Sequence, residues 1–460
     1  MPPRARRAKK APETRRSADA GEAVAAPANW WAGDALLRLA LLSAAAFAII
    51  LRAPWLFSHP RFWAEEGTEF FSYAYTHPWY QVIHASYRGS VALVPRVSSV
   101  LAAHLVSLEN APLLTTLVAF AIQMIPFVLV LWGESPLWST LPRKVISMLV
   151  ILLAPGSIGG WLNTINSQFY LSLAAFLLLM DNASTERPIK AWGHRILLLA
   201  AGLTGAVSCF LTPLFILKAV WEKNREHTVQ AGLMVLCFLL QVFVFWHSLR
   251  SDQAVGSRFA GTGRGVFLPI MWTKSIIWCF LGPDVAAAFS GVFVRIHSLG
   301  TNEFTVLNVV LAVVTIAFLR FLLPRGGRRE AVMLLGSFLL LEVLSIVSSV
   351  PKSGSKLYLI STAGGERYFY VPDVILILLV WANLRSPRDA LRESRAAVCA
   401  LLLLASLVSG GVNYRRDDLG RLVDRPDWRQ SVQDWRSGSR SSLDIAPQGW
   451  QMTLPPPAGR

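Results

Sequence analysis

The sequence predicts an all-α integral membrane protein, and three observations carry that prediction. Hydrophobic residues make up 53% of the 460-residue chain and charged residues only 16%, with a mean hydropathy of +0.45. That is more apolar surface than a soluble core of this size can hide. Apolar runs recur from about Leu36 to Val412 with short polar gaps, the pattern of one membrane domain instead of the several soluble domains this length would allow. Lys and Arg gather in those short gaps, the distribution that orients a membrane protein with its basic loops in the cytoplasm. The net charge of +16 follows from that distribution. The partner it implies is the lipid bilayer and not nucleic acid.

Three regions follow in order. Residues 1–32 read as a disordered basic cytoplasmic tail that anionic lipid can attract: Arg4, Arg6, Arg7, Lys9, Lys10, Arg15 and Arg16 face only Glu13, Asp19 and Glu22, among many Ala and Pro. Residues 33–412 read as a polytopic domain, and residues 413–460 as a tail on the outer face. The first apolar segment lacks a small-residue cleavage site, so it is expected to stay as an anchor. Cys209, Cys237, Cys279 and Cys399 stand alone within apolar runs and read as buried small hydrophobes.

Apolar runs long enough to cross a bilayer fall near 35–52, 111–132, 145–158, 168–181, 196–221, 230–249, 266–297, 303–321, 331–350, 370–384 and 396–412. Two of them are expected to break. Gly202, Gly205 and Pro213 interrupt 196–221, and Leu281-Gly282-Pro283-Asp284 interrupts 266–297. About 11 to 13 membrane helices result. All five basic loops between helices (143–144, 186–195, 222–227, 325–329 and 385–395) fall on the cytoplasmic side if Ser90 to Leu108 lies in the outer interface or re-enters. A full crossing there would invert every later loop. The N-terminus is then cytoplasmic and the C-terminus outside, in a multi-pass plasma-membrane topology. The polar stretches 53–110, 157–167, 250–265 and 351–369 then share the outer face with the tail, whose Trp428, Trp435 and Trp450 suit packing over that face.

The first outer loop holds Glu65 and Glu66 beside Trp63 and Phe70. A carboxylate partly desolvated by such rings acquires a raised pKa and can serve as a base; the alternative is a solvated acidic pair capping an interfacial helix. Arg88, Arg96, Arg258, Arg264, Lys356 and Arg367 are candidate phosphate-holding groups, with snorkelling to lipid headgroups as the alternative for each. Arg367 ranks first, because Tyr368 follows it and an apolar helix starts at once. Asn163, Asn166 and Gln168 suit sugar hydroxyls or simply cap the helix that follows. Glu342 lies mid-helix, where an ionisable group needs a partner or a polar cavity, with Lys274 as one candidate. No metal-type histidine spacing and no phosphate-binding glycine loop appears. Neither a nucleotide-binding domain nor a resident cofactor is expected, and a divalent ion at Glu65 and Glu66 is the one metal site left open.

The runs Phe62-Trp63-Ala64-Glu65-Glu66-Gly67, Ala85-Ser86-Tyr87-Arg88-Gly89 and Val94-Pro95-Arg96 resemble the first outer loop of bacterial GT-C-type membrane glycosyltransferases. Asn163-Thr164-Ile165-Asn166-Ser167-Gln168-Phe169 and Gly365-Glu366-Arg367-Tyr368-Phe369 resemble further short motifs of those proteins. The resemblance implies a GT-C-like architecture, a polyprenyl-phosphate sugar donor and a glycan or lipid-linked acceptor. Relatives tend to carry Glu-Asp where this chain has Glu65-Glu66, which leaves two carboxylates for one role. The expectation falls on Glu66 as base, with arginines receiving the departing phosphate in a single inverting displacement. A transporter or flippase of lipid-linked saccharide is the other class, although no internal repeat of the transporter kind is visible.

Overall fold

The computed structural model describes residues 30–157, 161–182, 188–251, 265–324, 327–349, 356–362, 364–384, 394–414 and 427–455. The chain divides into two units, 1–41 and 42–460. The first contributes the opening of helix α1 (Trp30–Arg52), stabilised one turn apart by the Arg38–Asp34 ion pair at 2.5 Å.

The second unit is built almost wholly of helices. After α1 come four short helices, α2 (Trp55–Ser58), α3 (Ser72–Thr76), α4 (Trp79–His84) and α5 (Leu93–His104). The longer ones follow: α6 (Ala111–Trp132), α7 (Leu141–Leu153), α8 (Ser167–Met180), α9 (Pro188–Leu203), α10 (Thr212–Glu222) and α11 (Arg225–Ser251). The set continues with α12 (Phe267–Leu281), α13 (Pro283–Leu299), α14 (Thr301–Leu322), α15 (Arg328–Ser348), α16 (Tyr370–Ala382) and α17 (Ser394–Asn413). Six are long and apolar enough to cross a membrane: α1, α6, α11, α14, α15 and α17. The chain is a multi-pass membrane protein.

Both expected breaks are present. The 196–221 run separates into α9 and α10, and the 266–297 run turns at Gly282, whose φ of +87° only glycine adopts without strain. The segment around Pro95 folds as α5, whose 12 residues reach about 18 Å. That is short of the roughly 30 Å of a hydrocarbon core.

Burial sorts the helices by composition. Every residue of α16 is buried, as is every residue of α8 except Gln168, because helices apolar on all sides belong in the interior. By contrast Val306, Val309, Val313 and Ile316 form an exposed stripe on α14, the surface that a membrane-crossing helix presents outward.

Contacts define two ends. At one, Arg52 Nη1 donates to Ser157 Oγ at 2.8 Å, Ala92 bridges Thr204, and Lys274 Nζ donates to the carbonyl of Gly364 at 2.9 Å. Loop segments 53–110, 161–167, 356–362 and 364–369 meet there. At the other, Arg143 Nη2 donates to the carbonyl of Leu384 at 2.7 Å, Asn383 Nδ2 to that of Leu322 at 2.9 Å, and Lys190 pairs with Asp181 at 3.1 Å.

The C-terminal tail departs from the all-helical expectation. It forms α18 (Trp428–Arg436) and a two-stranded antiparallel hairpin, β1 (Leu443–Ile445) with β2 (Trp450–Met452). Trp428, Val432, Trp435, Leu443, Ile445 and Met452 share a core with Phe62, Phe71 and Leu108 of the first loop. Trp428 Nε1 donates to the carbonyl of Leu108 at 2.9 Å, and its ring meets Phe62 edge-on at 5.6 Å.

Candidate active site

Chain direction fixes where Glu65 and Glu66 sit. The strand-like stretch Phe62–Ala64 pairs with Ala446 of the tail: Ala446 N donates to the carbonyl of Phe62 at 2.9 Å, and Ala64 N donates to that of Ala446. Ala64 then takes a left-handed φ of +40°, turning the chain into a π-helical stretch, Glu66–Phe71. Such stretches are uncommon and cluster at functional sites. Gly67 permits the turn to lie under the hairpin, since a Cβ there would come within 2.9 Å of Ile445 Cδ1. Arg88 and Leu162 also hold left-handed φ values, +45° and +50°. Three of the four such non-glycine residues in the described chain therefore flank this one site, where strain is held by surrounding contacts.

The two carboxylates have different surroundings. Glu66 is 2% exposed. Thr164 N donates to its Oε1 at 2.9 Å and the Thr164 hydroxyl donates to the same oxygen, while Trp63 N donates to Oε2 at 3.2 Å. Burial pushes the Glu66 pKa up from the ordinary value of 4.5, against the pull of those donors. The Glu65 side chain is 14% exposed and lies 3.9 Å from Arg88 Nη2, a loose pair on a side chain itself 39% exposed. Arg367 is the second cation beside it. Burial works against the Arg367 charge, but Tyr368, Glu65 and Tyr87 around it hold its pKa above the ordinary arginine value.

Aromatic rings carry the guanidinium groups. Arg88 lies over Tyr87 at 5.3 Å, Arg367 over Tyr368 at 5.5 Å, and Arg96 over Phe70 at 4.8 Å and Tyr73 at 5.2 Å. Arg96 is 5% exposed. It has one backbone acceptor, the carbonyl of Ser86 at 3.4 Å, while Nε and Nη1 have no partner. Burial lowers its pKa.

Other expected site residues have structural work. Asn163 Oδ1 accepts from Asn166 N at 3.1 Å and from Asn166 Nδ2 at 2.6 Å, and its Nδ2 donates to the carbonyl of Trp161 at 3.2 Å. Both asparagines thus build the turn that presents Thr164. Gln168 packs against Gly205, and Phe169 meets Tyr368 edge-on at 5.8 Å. Lys356 is buried and donates to the carbonyls of Ile346, at 3.0 Å, and Val347, closing the C-terminus of α15. Arg258 and Arg264 lie outside the described residues. Glu342 pairs with Ser275 Oγ at 3.0 Å, whereas its expected partner Lys274 donates to the carbonyls of Thr362 and Gly364. Asp373, also buried, lies beside the same Ser275 and Cys279.

Sequence reasoning missed Thr164, the main holder of Glu66, although it stands inside the 163–169 motif. It also missed Arg52, which lies over Trp161 at 4.3 Å and Tyr414 at 4.7 Å; an arginine ending a membrane helix was the available signal. Among the described residues no group of three or more His, Cys, Asp or Glu is arranged to hold a metal ion. No family model matches the chain, and comparison with curated proteins and with solved structures returns no match.

Proposed function

We propose that this chain is a GT-C-like membrane glycosyltransferase that moves a sugar from a polyprenyl-phosphate carrier to a glycan or lipid-linked acceptor on the outer face of the plasma membrane. The observation that carries the reading is Glu65: a partly exposed carboxylate 3.9 Å from the ring-supported Arg88, within electrostatic reach of the ring-supported Arg367. When the donor's phosphate takes the arginines by charge-assisted hydrogen bonds, the Glu65 carboxylate is released from its loose Arg88 contact. It then accepts the acceptor hydroxyl's proton as the acceptor oxygen bonds to the anomeric carbon. The bond from that carbon to the phosphate oxygen breaks and its electron pair leaves with the phosphate, which the arginines stabilise. One displacement inverts the anomeric centre.

Expectation from sequence favours Glu66 as base, but a base needs a free lone pair within reach of the acceptor. Glu66 is buried, away from an entering acceptor, and takes three donors, from Thr164 N, the Thr164 hydroxyl and Trp63 N, so in this reading it fixes the turn that aims Glu65. Purified protein in proteoliposomes with a polyprenyl-phosphate sugar tests the assignment. Glu65→Gln should bind donor and fail to transfer, while Glu66→Gln should keep measurable turnover. The reverse result would move the base to Glu66, and full activity in both single variants and the double variant would end the enzymatic reading.

The orientation has its own test. A cysteine at Ser437 should react with a membrane-impermeant reagent added outside intact cells, and one at Ser139 should not; the opposite pattern would put the site in the cytoplasm.

A second reading, transport of lipid-linked saccharide, is favoured by Glu342, Asp373 and Lys274. All three are fully buried in the helical bundle, and Glu342 Oε1 and Asp373 Oδ1 lack partners. Ionisable groups at such depth often line transport paths. Loss of flipping in Glu342→Gln, with transfer undetectable in wild type, would select it.

A further inference from the structure

At the end away from Glu65, the starts of α9 and α11 enclose a cleft of about 190 Å³ lined by Pro188, Ala191, Trp192, Arg195, Arg225 and Glu226. Its charges do not cancel. Arg195 closes on Glu226 with both Nε, at 3.2 Å, and Nη2, at 2.5 Å, so that pair is neutral as a unit. Arg225 is exposed and makes no ion pair among the described residues, so the described lining residues carry a net charge of one positive.

The rim is apolar where a water-facing anion site would be polar. Ile189, Trp192 and Ile196 recur at helical spacing along one face of α9, and Trp192 is 60% exposed with the Arg195 guanidinium 4.8 Å from its ring. Leu236, Leu239 and Phe243 continue an exposed apolar surface along α11. Arg225 opens a 26-residue apolar span, about 39 Å of helix against the roughly 30 Å of a hydrocarbon core. The cleft therefore stands at a bilayer boundary, with cations at headgroup level and an apolar face below them. An indole at that depth anchors at the interface, and arginines there reach headgroup phosphates.

We infer that this cleft is a binding site for an anionic membrane phospholipid, with Arg225 on the headgroup phosphate, Trp192 at the level of the glycerol, and an acyl chain along Ile189 and Ile196. Basic pockets between membrane helices are suited to such headgroups. A free phosphate ion would find the same cation but would leave the apolar rim uncovered.

Thermal unfolding of the full-length protein in a zwitterionic detergent, titrated with phosphatidylglycerol, phosphatidylcholine or inorganic phosphate, tests the inference without reference to catalysis. Phosphatidylglycerol should raise the unfolding temperature saturably; the other two should not. Arg225→Gln should weaken the apparent affinity about fivefold, the effect of one interfacial arginine, and Trp192→Ala should weaken it further, while Arg225→Lys should keep most of it. An equal shift with phosphatidylcholine, a full shift with inorganic phosphate alone, or an unchanged titration in both Arg225→Gln and Trp192→Ala would overturn the site. None of these outcomes bears on whether Glu65 acts as a base.

Discussion

The two ends of residues 42–460 use charge in opposite ways. At the basic end, cations meet carboxylates closely: Lys190 with Asp181 at 3.1 Å and Arg195 with Glu226 at 2.5 Å. Lys218 there donates to the carbonyls of Leu179, at 2.7 Å, and Asp181, at 2.6 Å. At the other end closed pairs are confined to the tail, as between Arg436 and Glu109 at 2.5 Å; around Glu65, Arg88 and Arg367 stand on aromatic rings, the nearest carboxylate contact of either is 3.9 Å long, and Arg96 keeps two buried nitrogens unpartnered. A buried donor without an acceptor costs roughly 1–3 kcal/mol. A fold tolerates that more readily where a ligand supplies the acceptor, and closed pairs serve where the task is to hold helix ends together.

Removing one carboxylate from each end should separate these uses most widely. Glu65→Gln is expected to reduce transfer by about 10²- to 10⁴-fold with an unchanged unfolding temperature. Asp181→Asn should lower the unfolding temperature and leave the donor KM untouched, because its Oδ1 accepts from Glu134 N and its Oδ2 pairs with Lys190. Steady-state kinetics and calorimetry on both variants check this. Equal kinetic effects would erase the distinction between the ends.

Buried tryptophans offer a comparison at constant chemistry. Trp138 of the basic end and Trp428 of the tail are both fully buried, so replacing either by Ala should cost about 3–5 kcal/mol locally. Only Trp428→Ala is expected to lower turnover as well, since the hairpin it supports holds Phe62–Ala64 in register before Glu65. Limited proteolysis should show the tail released in that variant. Turnover unchanged after tail release would uncouple the hairpin from the site.

Arg367→Ala and Arg88→Ala sharpen the site end itself. A hydrogen bond to a charged group contributes about 1.5–3 kcal/mol, so Arg367→Ala should raise the donor KM and lower kcat together, by about ten- to a hundredfold in kcat/KM. Arg88→Ala should do less, its side chain being more exposed to water. A larger loss in Arg88→Ala would reverse their ranking.

The smallest expected effect concerns pH. The folded pKa of Glu66 lies above its unfolded value, so the folded state holds the proton more tightly. The stability this provides is complete below the unfolded pKa and is lost as pH rises through the folded one. Glu66→Gln should flatten that part of the unfolding-temperature profile. A wild-type profile that rises through the same window would contradict the burial argument.

How far the sequence reached is clearest in particular elements. Hydropathy located 111–132 to the residue and placed 303–321 within two residues of α14, because a helix surrounded by lipid or by other apolar helices has no reason to depart from its apolar run. Gly202 to Pro213 and Gly282-Pro283 marked the two breaks, since backbone restrictions act locally. The Glu65-Glu66 pair was visible as chemistry, but not the division between them. That division depends on Thr164, nearly a hundred positions away, donating twice to Glu66, and on the tail pairing Ala446 with the first loop. Lys356 shows the same limit: its charge suggested phosphate, while its fold contact is the end of α15.

Composition, spacing of apolar residues and local helix breakers determined by themselves that this chain enters a membrane as helices and roughly where each begins and ends. Those properties arise from the solvent and from neighbours a few residues apart. Which carboxylate is closed off, which arginine lacks a partner and what the tail covers were decided only by tertiary structure, because each depends on desolvation and hydrogen-bond geometry set by segments far apart in the chain.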